Sequence, residues 1–155
     1  MSADLSHVRA MWEQDTASAH LGIECLDVGV GPLGHARTRM PVTASMVNGH
    51  RICHGGYVFT LADSTFALAC NATGRPTVAA GADITFVAPV REGDVLLAQA
   101  RERTAYGRNG ITDVTVTRER DSAVIAEFRG RSRSTGEGGI GPSDGKVPWG
   151  VGPPP

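Results

Sequence analysis

The sequence predicts an α+β fold, with one long apolar helix packed on an antiparallel sheet. Three observations carry this. The stretch Tyr57 to Asn71 is apolar on nearly every side and holds one charge, Asp63. A helix of that kind belongs in a protein interior. Beyond it the pattern switches to a period of two and stays there to about Arg133, the mark of successive half-buried strands. Strand runs with a helix segregated to one face read as α+β.

The elements follow in order. Residues 4–20 read as one helix, with Leu5, Val8, Trp12 and Ala19 near one face and Gly22 as its stop. A strand from Ile23 to Val30 turns at Gly31-Pro32-Leu33-Gly34 into a second, His35 to Val42, whose Pro41 belongs at an end or an edge. Thr43 to Ile52 is a loop, Gly55-Gly56 opens the central helix, and Gly74 with Pro76 closes it. Val78, Ala80, Ala82, Ile84, Phe86, Ala88 and Val90 alternate with polar or small residues, which predicts one long strand. Leu96, Ala98 and Ala100 mark the next. Gly107-Arg108-Asn109-Gly110 signals a hairpin. The last two strands run from about Ile111 to Arg118 and from about Ala123 to Arg133. Residues 136–155 are rich in Gly and Pro. Such a composition supports no packed core, so a flexible tail is expected after a domain over 1–135.

With 155 residues the chain can bury a core without disulfide or metal staples. A net charge of -1 makes no case for nucleic acid or a membrane surface. No apolar run is long enough to span a bilayer, and no leader pattern is visible. Three cysteines without CxxC spacing fit a reducing cytoplasm.

Asp63 is the first candidate for chemistry. Phe59, Phe66 and Ala67 are its helical neighbours. Burial against them raises the pKa of a carboxyl and suits it to act as a base; the alternative is a core Asp paired to an Arg or a backbone donor. His54-Gly55-Gly56 is the second. Free N–H groups at a helix start can stabilise an oxyanion; the alternative is a plain turn, with His54 as a cap or core histidine. Asn48 is either a turn residue or a side-chain donor to substrate. His50 and His54 share an H-x3-H spacing, but Gly55 interrupts any helix through both and no HExxH pattern is present, so no metal site is expected. A Cys53-His54 nucleophile pair lacks an orienting acid. Arg129, Arg131 and Arg133 fall on one strand face, and residues 101–133 hold eight arginines against five acids. That face reads foremost as a solvated sheet or subunit contact, and otherwise as a dock for phosphates.

These same residues carry a resemblance. Asn48-Gly49-His50, Cys53-His54-Gly55-Gly56, Leu61-Ala62-Asp63 and Ala69-Cys70-Asn71 resemble the signature of PaaI-type acyl-CoA thioesterases, with Ile84-Thr85-Phe86, Pro89 and Phe128 to Ser132 in support. The resemblance spans roughly residues 15 to 135 and implies a hotdog fold, a central helix wrapped by an antiparallel sheet. It implies hydrolysis of acyl-CoA thioesters, by analogy with an aromatic acyl group such as phenylacetyl, in phenylacetate catabolism. It implies a homo-oligomer, a dimer of dimers with the active site shared between chains, and no cofactor. Asp63 would be the base or nucleophile, and the Gly55 N–H would polarise the thioester carbonyl. Asn48 would orient water or substrate, and His54, the fourth expected catalytic position, would shape the loop and contact substrate. Gly56, Phe66, Arg129 and Arg131 are the expected substrate-binding positions. The other functions of such a fold are an enoyl-CoA hydratase or dehydratase and a non-catalytic acyl-CoA binding module.

The residues themselves add a distance argument. Asp63 and Gly55 are eight positions apart on one helix, ~12 Å at the α-helical rise. A base and an oxyanion donor must reach one carbonyl within a few ångströms. This expects the two to serve one substrate from different chains.

Overall fold

The central helix, α3, runs Gly55–Asn71. Ten of its residues are buried, from Val58 to Asn71, as its composition requires. The computed structural model describes residues 3–135. The Gly/Pro-rich tail expected over 136–155 lies outside them. Before α3 come helices α1 (Ser6–Glu13) and α2 (Thr16–His20), strands β1 (Glu24–Val30) and β2 (Gly34–Pro41), and a 3-10 turn over Ala44–Met46. After it come β3 (Thr77–Phe86), β4 (Val95–Tyr106), β5 (Asn109–Arg118) and β6 (Val124–Ser134).

The six strands form one antiparallel sheet in the order β1-β2-β4-β5-β6-β3, leaving β1 and β3 as edges. The inner face presents Ala36, Ala98, Ala100, Val114, Val116, Ala126 and Phe128, all buried, to α3. Small residues on that face let the helix lie close. The contact is tightest at Gly34, where a β-carbon would collide with the Ala69 carbonyl oxygen of α3. Gly130 similarly makes room for the Phe66 ring, 2.7 Å from where its β-carbon would be. Of the polar core groups, Thr38, Thr65 and Asn71 are paired, while the buried Thr112 hydroxyl has no partner among the described residues. Thr65 Oγ1 donates to the Leu61 carbonyl (2.6 Å) and meets Thr38 Oγ1 (2.7 Å). Asn71 exchanges two 2.9 Å bonds with the Thr77 backbone, tying the end of α3 to the start of β3.

The predicted hairpin is present. Tyr106 pairs with Asn109, and Gly107 takes φ +57° in the first central position, where a two-residue turn favours glycine.

Two expectations are corrected. The helix expected over 4–20 is two helices. Asp15 ends the first run and caps α2, its Oδ1 accepting from the Ser18 N–H (2.9 Å) and its Oδ2 from Ser18 Oγ (2.6 Å). The long strand expected over 78–90 ends at Phe86, and a bulge at Ala80 interrupts it: the register passes from Ala79↔Ser132 to Gly81↔Arg131. An extra residue reverses which face each side chain takes. Ala79, rather than Val78, therefore joins Ala82 and Ile84 against the core.

Candidate active site

The loop before α3 is held at both ends. The Cys53 N–H donates to the Val90 carbonyl and the His54 N–H to the Met46 carbonyl, both at 2.7 Å. Within it, Asn48 closes a tight turn. Its backbone N–H reaches the Ile52 carbonyl (2.8 Å), its carbonyl accepts from Arg51 (2.9 Å), and its Oδ1 accepts from the His50 N–H (2.9 Å) and the Ile52 N–H (3.4 Å). Arg51 adopts φ +61° to complete the turn. The Asn48 side-chain oxygen is thus spent on the loop, and its amide NH2 makes no bond among the described residues.

His54 is extended (φ -61°, ψ 132°) and is the N-cap of α3. Its Nδ1 accepts from the Gly56 N–H at 3.1 Å, and its carbonyl accepts from the Tyr57 N–H at 3.0 Å. The Gly55 N–H has no acceptor among the described residues. Of the two glycines, then, Gly55 holds the open donor, at the positive end of a 17-residue helix. Beside it lies a groove of about 450 Å3, lined by Asn48, Gly55, Val58, Phe86, Pro89 and Ile125 among others.

Asp63 sits two turns along α3 and does not line that groove. Its carboxylate is largely buried and forms no hydrogen bond or ion pair among the described residues. Burial pushes its pKa above the ordinary value, and the nearby charge of Asp15 adds to the rise. This is a carboxyl held ready to take a proton rather than one neutralised by an Arg. One chain therefore brings Asn48 and the Gly55 N–H together and leaves Asp63 elsewhere.

The family model of the Thioesterase superfamily matches residues 50–125, the stretch holding the end of this loop, α3 and strands β3, β4 and β5. The chain is 39% identical over 130 residues to the acyl-coenzyme A thioesterase PaaI of Escherichia coli, covering 84% of this chain and 90% of that one. The chain belongs to the thioesterase superfamily. It is a thioester hydrolase of the PaaI type, on a hotdog fold. The solved structure of the Escherichia coli PaaI protein superposes with a TM-score of 0.80 at 38% identity, over 88% of this chain and 99% of that one. A Streptococcus mutans protein solved bound to acetyl CoA superposes at 0.66 with 27% identity, over 73% and 90%.

Within this thioesterase fold, other expected site residues are placed differently. Phe66 is 1% exposed. Its ring packs on Gly130 and tilts against Phe128, so it is a core residue and not a substrate contact. Arg129 and Arg131 lie on the outer sheet face, and each has a carboxylate partner. Arg129 makes a two-pronged pair with Asp113 (2.7 and 2.9 Å), and Arg131 reaches Asp83 (3.1 Å). Their charge is answered locally, which favours the solvated-face reading over a free phosphate dock. The Cys53 thiol is buried, and burial pushes its pKa to about 11, so it is protonated at neutral pH and is no nucleophile.

The strand and helix patterns drew no attention to two residues near the site. Phe86 borders Gly55, and its sequence signals are its place in an alternating strand and in the Ile84-Thr85-Phe86 stretch that supports the family resemblance. Asp15 sits close enough to Asp63 to act on its charge, and in sequence it looks like ordinary helix surface.

Proposed function

We propose that this thioesterase hydrolyses acyl-CoA esters with an aromatic, phenylacetyl-like acyl group to the free acid and CoA, at a site shared between two copies of the chain. The observation that carries this is the separation of parts. Among the described residues, an open Gly55 N–H and Asn48 share one groove, and an unpaired Asp63 with a raised pKa stands two helical turns away. In the proposed site the thioester carbonyl accepts from Gly55, and Asn48 offers its amide to water or substrate. Asp63 of the second copy takes a proton from water, whose oxygen attacks the carbonyl carbon, and passes that proton to sulfur as the C–S bond breaks and CoA leaves as the thiol. In the alternative, the Asp63 carboxylate attacks directly and the C–S bond breaks to leave an acyl-aspartyl anhydride. Water then cleaves the anhydride to the free acid, its two protons going to the CoA thiolate and to the released acid. The likeness to the Escherichia coli acyl-coenzyme A thioesterase supports the substrate class, and the acetyl CoA bound to the Streptococcus mutans protein supports the CoA moiety.

The edge strand β3 supports the pairing, since a free edge presents unpaired backbone groups that another strand can complete. A second association of dimers would give a tetramer. Three free cysteines, Cys25, Cys53 and Cys70, support a cytoplasmic setting. His54 supports hydrolysis over hydration, because its Nδ1 is committed to capping α3.

The test is thiol release from a panel of CoA thioesters that includes phenylacetyl-CoA. The proposal expects turnover that is fastest with aromatic acyl groups. Tight binding without turnover would indicate a binding module, and hydration of an enoyl-CoA a hydratase; either outcome contradicts it.

A further inference from the structure

Phe86 is an unusual residue for its place. It ends β3 on the inner face, paired with Ala126, one step beyond the point where Ile84 and Phe128 still pack in the core. Yet it is 53% exposed. Its ring is not loose in solvent. A β-carbon on Gly55 would lie 2.8 Å from Phe86 Cζ and 3.2 Å from both ε-carbons. The far edge of the ring thus rests on the first residue of α3, whose N–H is open. Gly55 and Phe86 line the same groove, so a group that accepts from that N–H within it shares the cavity with the ring. Val58, Pro89, Val90 and Ile125 continue the same apolar wall.

We infer that Phe86 is a specificity-determining residue, which stacks on the acyl group held at Gly55 and selects planar aromatic acyl groups over straight chains. This rests on the acyl-CoA reading above and assigns its acyl preference to a side chain. Aromatic rings prefer offset or edge-to-face partners, and such pairs gain beyond their buried area. A straight chain of equal size gains only the area. The half-exposed position also makes truncation mild for the fold, since large losses come from buried groups.

The experiment compares kcat/KM for phenylacetyl-CoA and hexanoyl-CoA in the wild type, Phe86→Leu and Phe86→Ala, with Tm and oligomeric state measured on each. In Phe86→Ala the phenylacetyl-to-hexanoyl ratio falls about tenfold, with Phe86→Leu between, while Tm and assembly hold. An unchanged ratio, with both esters losing equally or neither losing, overturns the inference. So does dissociation of the oligomer in both variants, which would make the ring a subunit contact. A wild type that releases no thiol from either ester overturns the acyl-CoA reading and this inference with it. Turnover in the wild type with an unchanged ratio overturns this inference alone.

Discussion

Asp63 carries a conflict between stability and chemistry. Its neighbours are apolar, its carboxylate has no partner among the described residues, and its pKa is raised by burial and by Asp15. The folded chain therefore holds that proton to a higher pH than the unfolded chain, whose value is near 3.8. Stability is unpenalised below 3.8 and declines as pH rises through the raised folded value. Asp63→Asn removes the charge. It is expected to raise Tm at neutral pH by about 2–4 °C, with the gain vanishing in acid, while thiol release falls by about 10²–10⁴-fold. Thermal melts at several pH values check the first part, and wild-type activity should rise with pH through the same raised pKa. Gly55 offers a cleaner cut. It is the first helical residue after the cap, where proline fits the backbone but deletes the N–H. The extended backbone of His54 suits a following proline, and the Phe86 ring can swing away. Gly55→Pro should keep its circular dichroism and lose about 10²–10³-fold in kcat. Phe66→Leu should behave in the opposite way. It should cost about 1–2 kcal/mol in urea unfolding and leave the preference among acyl groups unchanged, because the ring is a core packing group.

Among elements, the central helix was legible because its signals are local. Apolar composition, the His54-Gly55-Gly56 start and Gly74 with Pro76 all lie within its own stretch, and the helix observed, Gly55–Asn71, follows them. The split of the N-terminal helix was not legible. Gln14 and Asp15 look like ordinary helix surface, and only the return of Ser18 to Asp15 reveals a cap. That cap reaches further than its own helix. Ser18 Oγ lies 2.8 Å from Ser64 Oγ, and both residues are buried, so Asp15 anchors α2 to α3 beside Asp63. Asp15→Ala should therefore cost about 0.5–2 kcal/mol by chemical denaturation. The face reversal in β3 was hidden for a related reason. A bulge is defined by the partner strand, and Ala80 gives no sign of it in sequence. The arginines of β6 were placed correctly on one face, but their partners Asp113 and Asp83 come from β5 and β3 through the sheet register. Exposed pairs of this kind add little stability; what they change is the availability of the charge.

The whole molecule supplies half of each proposed site twice over. One end of α3 offers the open Gly55 N–H with Asn48 and Phe86, and its middle offers Asp63. A single copy leaves them ~12 Å apart along one helix. If a two-fold pairing along the β3 edge brings one copy's Asp63 to the other's groove, the reverse contact forms as well, since a two-fold interface repeats every contact in reverse. The most direct test is subunit mixing. Asp63→Asn and Gly55→Pro proteins are each inactive, are refolded together in equal amounts, and are assayed for thiol release from phenylacetyl-CoA. A site shared between chains predicts recovery to about one quarter of wild-type activity, since half the dimers are mixed and each mixed dimer holds one intact site of two. Activity that stays at the level of the separate variants would contradict the shared site.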